Sequence, residues 1–317
     1  MTPAGRAAPA ADLAVRGHGD VRLRCRDWGG TGPGVLFLHG LAGHVGEWEA
    51  TARSSRAEGW RAAAFDQRGH GGSERRPAEV GHAAQVADTV AVIRALRLAP
   101  VVLVGQSLGG RTALLTGAAH PELVRAVVLV ECDAGERPRE ETGTGAGAQP
   151  GRDADAGPDR EDDAEARDAP ASAPAAEPPA LAWLRSWPVP FASRTEAVTR
   201  LGGGRLGEGW ADGLERRADG WWPRFDLDVM AAVLAAADTA PAWEAWTRLD
   251  RPALLVTAQH GFLEGGTAPS VRNMFDARPS TWSAGVPGAG HDVHLEQPEA
   301  LHAALAPFLR ALPPGAG

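Results

Sequence analysis

The 317-residue chain has no lysine and no tyrosine, so all 32 of its basic side chains are arginine. With Ala, Arg and Gly abundant, this points to a GC-rich genome and excludes no function. Two cysteines, Cys25 and Cys132, stand far apart; they provide neither a disulfide framework nor a metal-ligand spacing, and each is expected to be a structural thiol in a reducing cytoplasm. No apolar run approaches the roughly 18 residues needed to span a bilayer, which excludes a membrane protein built on helices. Residues 1–12 lack the apolar centre of a secretory signal and are expected to form a short disordered arm. Neither a dinucleotide fingerprint nor a phosphate loop occurs at a strand-to-helix junction, and the Gly202-Gly203-Gly204 run falls elsewhere, so no cofactor is expected. His294 follows His291 at a spacing that mimics half a metal site, but no partner cluster accompanies it, and no metal is expected; His294 is expected to cap or flank the last helix.

The net charge of -8 is unevenly spread. Residues 135–180 contain twelve acidic and five Arg side chains, a net of -7, leaving the remainder near neutral. The acidity therefore belongs to one segment, and the absence of a basic stripe argues against nucleic acid as a partner. That segment has almost no large apolar residue and cannot offset its ordering entropy, so it is predicted to be a disordered insertion.

The rest of the chain alternates short apolar runs with stretches of helical spacing. Residues 21–28 suggest a strand pair; 35–38, 61–65, 101–104, 126–130, 253–257 and 281–286 suggest strands, and 84–96, 108–120 and 298–312 suggest helices. This alternation implies a parallel sheet with functional groups at the carboxyl ends of its strands. The expected division is a first core segment 13–134, the acidic insertion 135–180, a helical segment 181–247 with seven of the eleven tryptophans, a second core segment 248–312 and a tail 313–317.

The strand ends hold the chemistry. Gly105-Gln106-Ser107-Leu108-Gly109 lies between a strand and a helix, where small neighbours permit the sharp turn that exposes a nucleophilic serine. A serine hydroxyl needs a base, and His291, in the Gly-rich turn after the last strand, is the candidate. Asp292 is expected to be exposed, being poorly placed to orient the ring of its neighbour.

With His39-Gly40 at a strand end, the Asp66-x-Arg68-Gly69-His70-Gly71-x-Ser73 turn, the Gly105–Gly109 elbow and the late Gly290-His291, the chain resembles the α/β-hydrolase superfamily, specifically its small cap-bearing serine hydrolases of esterase or lactonase type. The resemblance implies an α/β fold: a mostly parallel eight-stranded sheet with helices on both faces and an inserted helical cap. It also implies an oxyanion hole from the backbone amides of Leu41 and Leu108, and roles as loop scaffold for His39, Asp66 and Arg68.

One element departs from the family pattern. The acid that orients the histidine follows, in most relatives, the strand at 253–257, where this chain has Gly261. An alternative station lies after the strand that follows the elbow helix, and Glu131 occupies it. Glu131 is the expected acid, with Asp133 and Glu264 as alternatives. The implied activity is hydrolysis of a carboxylic ester or lactone of a small-to-medium apolar molecule. A carbon-carbon bond hydrolase, a cofactor-free peroxidase, a slow hydrolase-like receptor and a degenerate interaction protein remain open.

Overall fold

The computed structural model describes residues 10–135, 177–238 and 242–313. The first half runs β1 (Ala11–Arg16), β2 (Arg22–Gly29), β3 (Gly34–Leu38), α1 (Glu49–Ala57), β4 (Arg61–Phe65), α2 (His82–Ala95), β5 (Val101–Gln106), α3 (Leu108–Ala119) and β6 (Val124–Val130). The insert follows as α4 (Pro179–Arg185), α5 (Arg194–Arg200), α6 (Gly204–Asp212), the hairpin β7 (Leu214–Arg217) and β8 (Gly220–Pro223), and α7 (Leu227–Asp238). Then come α8 (Ala242–Arg248), β9 (Ala253–Ala258), α9 (Pro269–Ala277), β10 (Trp282–Val286), α10 (Val293–Glu296) and α11 (Pro298–Ala311).

Eight strands form one sheet in the order β1-β2-β4-β3-β5-β6-β9-β10, antiparallel at β1-β2 and β2-β4 and parallel elsewhere. The central strands read as unbroken apolar runs because both of their faces are covered. Val35, Phe37, Val102, Val104, Val128 and Val256 face the side of α11, with Leu301, Leu305 and Phe308. The alternate residues Leu36, Leu38, Leu103, Leu129 and Leu255 face Ile93, Leu114, Trp246 and Met274 on the other side. Strand order reverses at β3: β4 lies on one side of it and β5 on the other. Loops leaving β3 and β5 therefore diverge and open a crevice at the carboxyl edge, the place where such sheets bind ligands.

Three sequence-based expectations change. Ala11 and Asp12, assigned to the arm, belong to β1, where the Asp12 carboxylate takes hydrogen bonds from Arg24 Nη2 (2.7 Å) and Arg26 Nε (2.6 Å). Pro179 and Ala180, assigned to the insertion, form the first turn of α4; residues 136–176 of that insertion lie outside the described residues, as do 1–9 and 314–317. The segment 181–247 is not wholly helical. Ala218-Asp219 turns a hairpin, and Gly220, with φ 146°, opens its return strand β8, which carries Trp221 and Trp222. α8, at the end of that segment, packs on the sheet side: Trp246 is fully buried there and its indole N–H donates to the Met274 carbonyl at 3.0 Å.

Before α8, the insert has its own apolar cluster, in which Leu184, Trp187, Phe191, Trp210, Phe225 and Met230 meet Ala42 of the loop after β3, Leu108 at the start of α3 and Leu295 of α10, all at the sheet's carboxyl edge. The insert thus sits over the crevice.

Candidate active site

Ser107 stands between β5 and α3 with φ 49° and ψ −116°, a left-handed conformation costing on the order of 1–3 kcal/mol for a non-glycine residue. The turn is held by Ser107 N–H donating to Val130 C=O (3.0 Å) and Arg111 N–H to Ser107 C=O (3.1 Å). Its tightness depends on glycine. A Cβ on Gly109 would lie 2.3 Å from the Leu38 carbonyl oxygen and one on Gly110 2.6 Å from Cys132 Cβ, so side chains there would force α3 off the sheet.

Ser107 opens into a cavity of about 600 Å³ beneath the insert. Leu41 and Leu108 line it too, as do Glu131 and His291. Leu108 is the first residue of α3, so its amide belongs to the first turn, whose N–H groups have no partner within the helix. The apolar walls come from Trp183, Leu184, Trp210 and Leu234 of the insert, with Phe262 opposite.

Of the three carboxylates considered from sequence, the fold brings Glu131 to the histidine. Glu131 Oε2 lies 3.4 Å from His291 Nδ1, while Oε1 accepts the Ala258 N–H at 2.6 Å. The residue is buried and leaves β6 with a left-handed φ of 48°. Asp133 instead accepts the Gly135 N–H (3.0 Å), and Glu264 is exposed in a turn after β9. The vacancy at residue 261 and the presence of Glu131 are one packing fact. A Cβ built on Gly261 would lie 2.3 Å from Glu131 Cδ and 2.1 Å from Oε2, so the Glu131 carboxyl fills the volume that a side chain at 261 would enter.

Two further residues set the histidine. Gln106, the buried residue before the nucleophile, donates through Nε2 to the His291 carbonyl at 3.2 Å, tying the elbow to the histidine loop. Phe262 stacks on the imidazole with centroids 4.1 Å apart and planes 28° from parallel, although 75% of it is exposed. Neither was singled out from sequence. Gln106 carries no signal beyond its place in the pentapeptide, and Phe262 only its adjacency to Gly261.

An α/β-hydrolase-fold family model matches residues 33–152. A solved structure of E-2-(acetamidomethylene)succinate hydrolase superposes with a TM-score of 0.73 at 23% identity, covering 95% of this chain and all of that one. The chain has the α/β-hydrolase fold. A thioesterase domain from the curacin biosynthetic pathway shares the same hydrolase fold, with a TM-score of 0.67 at 18% identity over 96% of this chain and 100% of that one. In sequence, the chain is 35% identical over 106 residues to sn-1-specific diacylglycerol lipase ABHD11 of Mus musculus, covering 33% of this chain and 34% of that one. It is 36% identical over 115 residues to 2-(acetamidomethylene)succinate hydrolase of Mesorhizobium japonicum, covering 36% of this chain and 40% of that one. The chain thus aligns with only about a third to two-fifths of the length of these relatives.

The scaffold of this hydrolase fold surrounds the site. Buried His39 donates from Nδ1 to the Gly40 carbonyl (2.7 Å) and accepts the Gln67 N–H at Nε2 (2.9 Å); burial keeps the ring neutral by lowering its pKa well below the ordinary value. Asp66 accepts the Val45 and Gly72 amides, each at 2.7 Å. Arg68 pairs with Asp88 of α2 through two bonds of 2.7 Å. Asp292 is not fully exposed as expected, because the indole N–H of Trp210 donates to its Oδ2 at 3.3 Å. His294 caps no helix; its ring is buried within α10 against Glu47. Cys25 and Cys132 are both buried free thiols, and no helix among the described residues is long and apolar enough to cross a membrane.

Proposed function

We propose that the protein is a serine hydrolase cleaving a carboxylic ester or lactone of a small-to-medium, largely apolar molecule through an acyl-enzyme on Ser107. The observation that carries this reading is the strained Ser107 turn opening into the same cavity as the His291–Glu131 pair, 3.4 Å apart. In the proposed cycle His291 takes the Ser107 proton as the hydroxyl attacks the carbonyl. Glu131, accepting from Nδ1, holds the tautomer that leaves Nε2 free and stabilises the imidazolium. The amides of Leu41 and Leu108 receive the oxyanion; removal of one such donor costs about 3 kcal/mol in enzymes of this kind. His291 returns its proton to the leaving alcohol, then activates a water that releases the acid product.

The part of the insert lining the cavity acts as its cap in this reading, and its tryptophans favour an apolar acyl or alcohol portion. The sequence relatives, a diacylglycerol lipase and a hydrolase of an acetamidomethylene succinate, are both hydrolytic and support that chemistry. Labelling with a fluorophosphonate tests it: a stable adduct on Ser107, absent in Ser107→Ala, is the expected result. An unlabelled wild type would remove the enzyme reading and favour a non-catalytic ligand-binding role. A panel of acyl esters, lactones, a diketone and peroxide then separates ester cleavage from carbon-carbon hydrolysis and peroxidase chemistry.

Phe262 supplies a second expectation. Its ring shields and orients an imidazole that becomes cationic in the transition state, a contact worth about 0.5–1 kcal/mol at an exposed site. Phe262→Ala is expected to lower kcat/KM by about two- to fivefold with Tm unchanged, since so exposed a side chain contributes little to the fold. Phe262→Trp should retain activity where Phe262→Leu does not.

A further inference from the structure

A second carboxyl–imidazole pair lies behind the candidate site. Glu47, in the single turn Val45–Trp48 after the Leu41 loop, faces His294 of α10, with Oε2 and Nε2 3.1 Å apart. Their side chains are 2% and 1% exposed, and 247 positions separate them in sequence. Each belongs to a segment that carries a proposed reacting group. Three residues before His294 is His291. The Glu47 carboxyl packs against the Leu41 loop so tightly that a Cβ on Gly43 would lie 2.7 Å from Oε2 and 2.9 Å from Oε1. Trp48 closes the other side, its ring stacked on His294 with centroids 4.7 Å apart.

We propose that Glu47 and His294 form a positioning pair that locks the Leu41 loop to the His291 loop, holding oxyanion donor and base in register across the cavity. This rests on the reading of Ser107 and His291 given above.

The protons follow from hydrogen-bond bookkeeping. Glu47 Oε1 and His294 Nδ1 are buried without a hydrogen-bond partner among the described residues, so the bond between the two groups is the one side-chain hydrogen bond either has to support a charge. Burial raises the Glu47 carboxyl to about 8 and lowers the His294 imidazole to about 4. Between those limits a neutral acid faces a neutral ring and one hydrogen bond joins them. The titratable neighbours are His44 on the same turn, Asp66 after β4, His39 after β3, and His291, Asp292 and Glu296 around α10. From the insert, α6 contributes Gly209, whose carbonyl meets His44 Nε2 at 3.0 Å, and Trp210, which donates to Asp292. Ionisation of Glu47 would put an anion facing Asp292 and Asp66, and the contact between the two loops would loosen.

The test follows the rate of Ser107 labelling by a fluorophosphonate, and Tm, against pH in the full chain. The wild type is expected to lose labelling rate on the alkaline side with an apparent pKa near 8. Glu47→Gln keeps a neutral partner for His294 and should stay within about threefold of the wild type near neutrality while losing that limb, whereas Glu47→Leu should label about 10- to 100-fold more slowly. The Tm arm has a defined sign. The folded state keeps a proton that an unfolded carboxyl gives up above its ordinary 4.5, so the stabilising contribution is full below that value and lost as pH rises through about 8. The Tm of Glu47→Gln relative to wild type should therefore climb from about pH 5 to about pH 9. An alkaline limb retained in Glu47→Gln, or a Tm difference independent of pH, overturns the proposal. Should Glu47→Leu fail to fold, the Gln variant decides. A wild type unlabelled at every pH would sink the Ser107 reading instead, and the Tm arm would still test the pair.

Discussion

Glu131→Gln is expected to lower kcat by about 10³- to 10⁴-fold while the protein remains folded. Gln retains an oxygen for the Ala258 amide, which Glu131 Oε1 now accepts at 2.6 Å, so the bond across β6 and β9 survives. What changes is the group facing His291. An amide NH₂ there opposes an Nδ1–H and favours the tautomer with its proton on Nε2, the atom that must be free to take the Ser107 proton. Steady-state kinetics with a turned-over ester, alongside Tm, checks this; near-wild-type turnover would remove Glu131 from the mechanism. The packing at residue 261 adds a sharper experiment. Because the Glu131 carboxyl occupies the space a side chain at 261 would take, Gly261→Asp alone should be destabilising and nearly inactive. Combined with Glu131→Ala, the same Asp enters vacated space in the loop after β9, the station that the family pattern gives the acid. The double variant should exceed Glu131→Ala in kcat by about tenfold or more. Equal activity of the two would mean that the carboxylate cannot be relocated.

Asp88→Ala should leave the reacting groups alone but cost about 3–5 kcal/mol of stability, because it strands a buried guanidinium. Arg68 and Asp88 are each 1% exposed. Arg68 donates through Nε and Nη2 to the carboxylate and reaches the carbonyls of Glu79 (2.7 Å) and His18 (3.0 Å), while Asp88 also accepts the His18 N–H at 2.8 Å. One pair thus ties the turn after β4, α2 and the β1–β2 connection together. Thermal melts should show Tm lower by on the order of 10 °C, with labelling of Ser107 normal at temperatures where the variant is folded. A replacement of both partners by apolar residues, Arg68→Met with Asp88→Leu, should recover much of the loss, because no unpaired charge then remains buried. A Tm unchanged in Asp88→Ala would show that the pair does not hold this corner.

Several parts of this fold are local enough to read from one strand or one turn. Apolar runs of four or five residues marked the central strands because both faces are covered. The Gly-x-Ser-x-Gly turn was equally legible, since close approach of α3 to β3 requires its glycines at fixed offsets. Strand β1 was missed, the strand pair having been expected within 21–28: only Val15 of its six residues is buried, so its apolar pattern is weak and ion pairs of Asp12 with Arg24 and Arg26 help to hold it. The β7–β8 hairpin hid behind the helical spacing of its neighbours, because each strand is only four residues long and its turn, Ala218-Asp219, carries no glycine.

The candidate site divides along the same line. Ser107 and His291 each sit in a short motif whose backbone requirement is local, and the departure at Gly261 was visible as a missing carboxylate. The choice among Glu131, Asp133 and Glu264 depends on which side chain can cross between loops. Glu131 meets Ala258 across 127 positions and His291 across 160, in the space that Gly261 leaves open. Glu47 and His294 show the same limit more strongly. Glu47 was not singled out from sequence and His294 was expected to cap or flank the last helix; only the convergence of the β3 and β10 loops buries them together, where the lack of water makes one proton decide their charge.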